Sequence, residues 1–396
     1  MSRRDRVCGR IRYGLPGGLG RPCRLGKSFR RRGRSRRGLI GAAGAIKRRG
    51  GTPAAQRQRG AVAVAVALML TVMMGFCALA VDLALGLVAR NELQNAADAA
   101  ALAGAAQLYA GESTPDWAAA SDAAADAIAL NRSAQVALRD AVVLPGYWNL
   151  DGTEGTLQSL PATPGPADVA AVMVTVRRDA GHNGGPVPVF FARVWGINAI
   201  PVSASAVAAV TAAGVTGPGV LFPLAVSACL YRQYWDAAAN PPAPRLDPAT
   251  GLPYVFRIGP GYSYGTCRPG TWTSFDSDTG DQASLQSLLQ ERNPAMLKTG
   301  QPIWMQTGAW DALLDSVDAC SARGSGQCAR VIVPVTENVS GHVQDSVTAF
   351  ACLRIELASS GGDNYVQAVM LRHCKVPNAG GTGPNYGALA TPRLTR

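Results

Sequence analysis

Residues 60–81 form an unbroken apolar stretch of 22 residues without one charged side chain. An α-helix rises about 1.5 Å per residue, so ~20 apolar residues cross a hydrocarbon core of ~30 Å. Inside lipid every backbone N–H and C=O must be satisfied within the segment, which makes a lone span a helix. A buried helix of a soluble protein is the competing assignment, but such helices seldom need so long an uncharged run. A cleaved secretory signal has a shorter apolar core, about 7–15 residues, ending at a small-residue cleavage site. Residues 60–89 are therefore read as one membrane helix, and its direction sets the compartment of everything after it.

The flanks give that direction. Arg57 and Arg59 abut the N-terminal end, with Lys47, Arg48 and Arg49 behind them, whereas Asp82, Arg90 and Glu92 follow the run without a basic excess. By the positive-inside rule the N-terminus stays cytoplasmic and residues beyond about 90 are exported. Of 38 basic and 26 acidic residues, 19 basic and one acidic (Asp5) lie in 1–60, which leaves the remainder net negative by 6. A basic arm is thus joined to a mildly acidic body, and no specific nucleic-acid partner is expected from the high overall pI.

The arm, 1–59, is rich in Arg and Gly, lacks periodicity and is read as disordered. Gly26-Lys27-Ser28 ends like a phosphate-binding loop, but Arg21 stands where the first Gly belongs. Arg36-Arg37 resembles a twin-arginine signal, but its apolar stretch is short and ends at Lys47. Arginine clusters also suit RNA or anionic lipid. The simpler account is a solvated tail, or an extension upstream of the translated start.

After the span, Asp82 is either an intramembrane charge with a role or a mark of the outer interface, where water reaches it; the interface is the expectation. Eight of the eleven residues from Ala96 to Ala106 are Ala, the best helix former. This stalk either packs on its own globular domain or offers a face, residues 91–108, for lateral packing with like helices. Thr114 and Pro115 suit the N-cap and first position of a second helix running to about Leu130. Strands are expected over 135–143, 169–177 and 201–210, with a loop over 151–166 and a short helix over 187–194 that ends at Gly196. Residues 90–214 make a small α+β unit, and Thr211–Gly219 is a linker by composition. Residues 220–396 read as mostly β, with strands over 331–335, 346–357 and 365–371 and a helix over 281–290. The fold class is α+β.

Cys8 and Cys23 lie in the arm and Cys77 in the span, but Cys229, Cys267, Cys320, Cys328, Cys352 and Cys374 all lie beyond it. An even number on the exported side suits disulfides. Six cysteines allow 15 pairings; sequential pairing, Cys229–Cys267, Cys320–Cys328 and Cys352–Cys374, is the expectation, with 320–328 a clasped hairpin loop. No C-x-x-C occurs, and no metal or cofactor is expected. Gly261-Tyr262-Ser263-Tyr264-Gly265 matches a nucleophile elbow, which needs a strand before the Ser and a helix after it. Residues 266–270 do not open a helix. His342 and His373 are the bases a Ser263 hydrolase would use, and that enzyme is the alternative to a non-enzymatic protein. An extracellular ligand-binding module is the other.

One string carries a resemblance: Arg59-Gly60, Gly75-Phe76, Leu79-Ala-Val-Asp82, then Leu93-Gln94-Asn95-Ala-Ala-Asp98-Ala-Ala-Ala-Leu102-Ala-Gly104. It resembles the TadE/TadG-like family of the tight-adherence (Flp) pilus assembly system of bacteria. Val189-Phe-Phe-Ala-Arg-Val-Trp-Gly196 and Val202-Ser-Ala-Ser-Ala-Val207 extend the likeness toward longer TadG-like members. The resemblance implies a single-pass inner-membrane protein with a periplasmic domain, meeting lipid through its helix and pilus or secretion machinery through its domain. Prepilin peptidases cut after a Gly before such a helix, and pilin-like members carry Glu five residues later; here Ala65 follows Gly60, so the span is expected to stay joined to its arm. Some long members carry a von Willebrand A metal site of the form Asp-x-Ser-x-Ser, and no such pentapeptide occurs here.

Overall fold

A computed structural model describes residues 59–110, 114–151, 157–165, 167–239, 241–307 and 311–395. The chain divides into two compact units, Met1–Val64 and Ala65–Arg396. Of the first, only 59–64 are described, and they are helical. The expectation of a disordered arm over 1–59 therefore lies outside the described residues, apart from Arg59, as do loop residues 152–156 and 166.

Helix α1, Arg59–Gln107, has 49 residues and no interruption. Its length of roughly 74 Å is more than twice a hydrocarbon core. It has two environments. Val62, Leu68, Met69, Met73 and Phe76 are exposed apolar side chains, as a lipid-facing segment requires. Further along, Ala89, Leu93, Ala96, Ala97, Ala100, Ala101, Ala105 and Leu108 are fully or almost fully buried.

That second half lies on a five-stranded antiparallel sheet. Its principal strands are β1 (Val142–Asn149), β2 (Asp168–Arg178) and β3 (Val202–Ala209). Gln158–Ser159 extends the β1 edge and Arg393–Leu394 the β3 edge. Alternate residues Ala170, Val172, Val174 and Val176 of β2 and Ala204, Ala206 and Ala208 of β3 face α1 in one core. The stalk is thus packed on its own domain, and α1 leaves Asn91, Asn95 and Ala99 exposed there as a stripe at helical spacing, with Arg90 and Gln107 exposed near its ends. The second half of β3 is buried on both faces, because Ala171, Val207 and Ala209 gather a smaller cluster with Trp148 and Leu157 behind the sheet.

Helix α2, Trp117–Ala129, completes the first core with Ala120, Ala124 and Ile128. Its N-cap is Asp116, whose carboxylate accepts the Ala119 N–H at 2.9 Å, not Thr114. The carboxylate reaches the N3 amide, so the helix starts two residues later than Thr114 and Pro115 suggest. The strand expected over 135–143 is broken. Arg132–Ser133 and Val136–Ala137 make a tight hairpin around Ala134 and Gln135, both at positive φ, and β1 starts only at Val142. The helix expected over 187–194 is a short 3-10 turn, Ala192–Trp195, closed by Gly196 at φ 82°.

The second sheet closes on itself. Its strands are β4 (Leu224–Ser227), β5 (Val255–Ile258), β6 (Gly270–Phe275), β7 (Pro302–Gln306), β8 (Arg330–Thr336), β9 (Gln344–Ser359) and β10 (Tyr365–Met370). β9 pairs with β8 along one edge; along the other it pairs first with β7, through Gln344–Ser346, and then with β10. Because β7 leads through β6 and β4 back to β8, five strands form a ring. The β4–β8 pair is parallel and the others antiparallel, which an odd-membered ring requires. β5 extends the sheet beyond β10. Helices α3 (Ala228–Tyr234), α4 (Gln282–Glu291, N-capped by Asp281) and α5 (Asp311–Cys320) join Leu224, Val226, Val331, Val333 and Val335 in the largest core. Helices α3 and α5 have no counterpart among the elements expected from the sequence.

Residues 211–219 are not a loose linker. Thr211, Ala212, Ala213 and Thr216 are buried, and Val215–Thr216 pairs with Leu297–Lys298. Asn293 holds the same stretch: its Oδ1 accepts the Val220 and Leu221 N–H groups, and its Nδ2 donates to the Gly217 and Ala295 carbonyls. Lys375 Nζ donates to the Ala106 carbonyl at 3.1 Å, at the end of α1, where a cation suits the orphan carbonyls and the helix dipole.

Gly104 marks the tightest point of this packing. A Cβ there would lie 2.7 Å from the Ala120 carbonyl oxygen, 3.1 Å from Ala124 Cβ and 3.2 Å from Val172 Cγ1. Gly104→Val should therefore destabilise by about 1–3 kcal/mol through overpacking. Denaturant unfolding of the detergent-solubilised protein measures it, with the exposed Ala99→Val as the control for β-branching in the helix; equal losses in the two variants would refute a steric crossing.

Candidate functional site

Asp82 follows Val81, the last residue of the apolar run. It is 1% exposed, so the expected water-facing position is incorrect. The segment 190–192 covers it. One carboxylate oxygen accepts the Phe190 N–H at 2.8 Å, and the other accepts those of Phe191 and Ala192 at 2.9 and 2.6 Å. The physical reason is local. A helix start leaves its first N–H groups without intrahelical partners, and Phe191, at the cap position, makes no side-chain cap bond of its own. Asp82 supplies that cap from 108 residues away, through charge-assisted bonds stronger than neutral ones.

The clamp presents an apolar surface. Phe190, Phe191, Val194, Trp195 and Ile197 are exposed by 66, 46, 85, 64 and 51%, with Arg193 exposed among them. A groove lined by Leu83, Gly86, Leu87 and Arg90 of α1 also meets Ile200 and Pro201.

Other family-motif positions serve the packing of α1. Leu93 is buried, Leu102 is half-buried against the same core, and Gly104 permits the crossing with α2. Gln94 Nε2 donates to Asp98 Oδ1 at 2.7 Å and to the Ser205 carbonyl at 3.2 Å, which ties the helix to β3. Asn95 is exposed, and Gly60 lies in the first turn of the helix.

Three polar residues have packing roles that the sequence did not indicate. Glu92 Oε2 accepts the Ala134 N–H at 2.6 Å, and Ser133 Oγ donates to the Ala89 carbonyl at 3.0 Å. Arg178, 2% exposed, donates to the carbonyls of Ser133 and Gly185. Burial pushes the Arg178 guanidinium pKa down and the Glu92 charge pushes it back up. These bonds pin the 132–137 hairpin to α1. An arginine at the end of an apolar strand was the available signal.

The catalytic alternative fares differently. Ser263 is exposed and lines a cleft of about 400 Å³ with Arg268, Thr271 and Asn364. β5 has ended at Ile258, and the chain runs from Ser263 into the Tyr264–Cys267 bridge and then β6. Without a helix opening after the Ser, the elbow is not formed. His373 lies on a separate cavity, its ring 4.5 Å from that of Tyr109. His182 bonds Asp179 through Nδ1 and has Asp140 Oδ2 3.5 Å from Nε2. Among the described residues no group of three or more His, Cys, Asp or Glu is placed to hold a metal ion.

The six cysteines beyond the span stand as Cys229–Cys267, Cys320–Cys328 and Cys352–Cys374, with Cα–Cα distances of 5.6, 5.1 and 5.8 Å, all within the normal range for a disulfide. The 320–328 segment is no hairpin: Cys320 ends α5 and Cys328 precedes β8. Cys77 is exposed on the span.

Removing the clamp should free the loop and leave the sheet intact. Asp82→Ala deprives three N–H groups of a charged acceptor, each such bond contributing about 1.5–3 kcal/mol. Amide hydrogen exchange over 190–192 should then rise at least ~10-fold, with β2 and β3 unchanged. Asp82→Asn, which keeps one acceptor oxygen, should show a smaller rise. Unchanged exchange in Asp82→Ala would remove the capping role.

No curated protein and no solved structure matches the chain. Residues 60–107 match a family model described as Flp pilus-assembly TadE/G-like. Residues 103–208 match a second, described as Tad-like Flp pilus-assembly. Span, stalk, clamp and nearly all of the first sheet's principal strands thus fall within the two, and over residues 60–208 the chain is similar to the TadE/TadG-like families of Flp pilus assembly.

Proposed function

We propose that this protein is a non-enzymatic, single-pass inner-membrane component of Flp pilus assembly, with a cytoplasmic N-terminus and a disulfide-braced periplasmic domain that contacts envelope or pilus partners. The observation that carries the reading is the pair of family matches running without a gap from the span into the first sheet. The charge asymmetry around the span supports the orientation, since basic residues precede it and none is in excess after it. Three cysteine pairs at bonding distance, all beyond the span, support an oxidising compartment for that part. The loop setting of Ser263 supports a non-catalytic role.

Its membrane helix anchors the protein, and the rigid continuation of α1 holds the domain at the membrane surface. Lateral packing between copies would use the exposed stripe of Asn91, Asn95 and Ala99. A photo-crosslinker at position 95 in cells that assemble pili tests the assignment. Recovery of pilus assembly proteins is expected, and recovery of none would count against it. In the same cells Ser263→Ala should leave pilus assembly at the wild-type level; a loss would revive the hydrolase.

The cysteine pairs give an independent check on compartment. Non-reducing peptide mapping of the protein from membranes should return 229–267, 320–328 and 352–374 as the linked pairs. A free thiol among the six would contradict an oxidising location.

A further inference from the structure

We propose that the 190–197 loop is a second membrane contact, a wedge whose Phe190, Phe191, Val194, Trp195 and Ile197 side chains enter the lipid interface beside the span. The inference rests on the reading of α1 as a membrane helix and adds a site which that reading does not include.

The first argument is exposure. Five large apolar residues within eight positions face outward, where a soluble surface seldom keeps a contiguous apolar patch without a partner. Elsewhere in the globular part, among the described residues, the densest group of exposed large hydrophobics is Leu246, Leu252 and Val255, three aliphatic side chains in ten positions, and the others, such as Leu130, Val142, Leu160 and Met296, are dispersed along the chain.

The second argument is position. Ala61–Val81 is just long enough, at about 1.5 Å per residue, to cross a ~30 Å core. Asp82 thus stands where hydrocarbon gives way to headgroups. Its carboxylate holds the backbone of Phe190, Phe191 and Ala192 within 2.9 Å, so their side chains start at interfacial depth. The exposed Leu83, Leu87 and Val88 on the next turns of α1 continue the apolar surface beyond the run.

The third argument is composition and backbone chemistry. Aromatic side chains favour the headgroup level, and Arg193 among them suits lipid phosphate. A wedge entering this layer must not bring unsatisfied amides with it. Here the first N–H groups of the turn are bonded to Asp82, and those of Val194, Gly196 and Ile197 to carbonyls within the loop. The occupant is therefore a lipid surface.

Full-length protein reconstituted into phosphatidylcholine vesicles, with and without lipid brominated near the headgroup end of the acyl chain, provides the test. Brominated lipid should quench part of the tryptophan emission. Trp195→Phe, an aromatic replacement that leaves the other six tryptophans in place, should remove roughly half or more of that quenching, because tryptophan at this depth meets the bromines directly. Quenching equal to wild type in Trp195→Phe would overturn the wedge. If the wild type floats with the vesicles but lacks this quenching, the wedge fails and the anchor stands; if it does not float, both fail. A photo-crosslinker at position 194 in cells should give lipid adducts. A discrete protein adduct in their place would reassign the surface to a protein partner and overturn the proposal.

Discussion

Close contact between an alanine-faced helix and an alanine-valine sheet face determines where the other parts of this protein stand. Small side chains let backbones approach, and the approach is tightest at Gly104, where α1 meets both α2 and Val172. A helix that is lipid-facing in its first half and embedded in a core in its second cannot swivel at the membrane surface without breaking that core. Within the second compact unit, the uninterrupted course of α1 through residue 107 joins most of the span to the scaffold as one helix. Buried polar contacts reinforce the geometry. Glu92 and Arg178 satisfy backbone groups of the hairpin, and Ser133 donates to the Ala89 carbonyl of α1; leaving such buried groups unpaired would cost more than the bonds contribute.

Asp82 solves a related problem at the point where the two halves of α1 meet. A carboxylate at the edge of a hydrocarbon core is expensive unless it is solvated or well bonded. Three amide donors replace water around it. The same bonds give a short 3-10 turn the cap that its own sequence lacks. One side chain therefore compensates for its own burial and for the orphan amides of a distant segment. This also explains how residues 190–197 keep an ordered conformation although most of their large side chains lie outside any core.

Legibility in the sequence followed the range of the interactions. The span, the stalk, β2, β9, β10 and α4 were readable, because apolar periodicity is a local signal. The closing of five strands through the two edges of β9 was not, because register is a long-range property and hydropathy says nothing about which strand neighbours which. Helix α5 carries a helical spacing in Leu313, Leu314 and Val317, all buried, yet it is short enough to be lost among Gly-rich flanks. Residues 211–219 have the composition of a linker, and their burial depends on Asn293 and Leu297, which lie far along the chain. Asp82 was legible as a boundary but not as a clamp, since its partners are backbone amides that no side-chain pattern reveals.

The C-terminal part has no free orientation relative to the membrane helix, and the reason lies in where its chain ends up. Leu389 enters the core beneath α1, and Arg393–Leu394 pairs with Ala208 and Ala209 of β3. Lys375 meets the last turn of α1. Connections at the buried 211–216 stretch, at residue 375 and at residues 389–394 constrain rotation far more than a single covalent crossing would. Cys352–Cys374 links the middle of β9 to the strand that leads toward Lys375, so the closed ring is joined covalently to the segment that touches α1. Residues 209–396, outside both family matches, are therefore held in a set position against the second half of α1 by the portion that lies within them. Packed elements thus hold the geometry from the second half of α1 to the last strand, with no stretch between them that depends on the covalent chain alone.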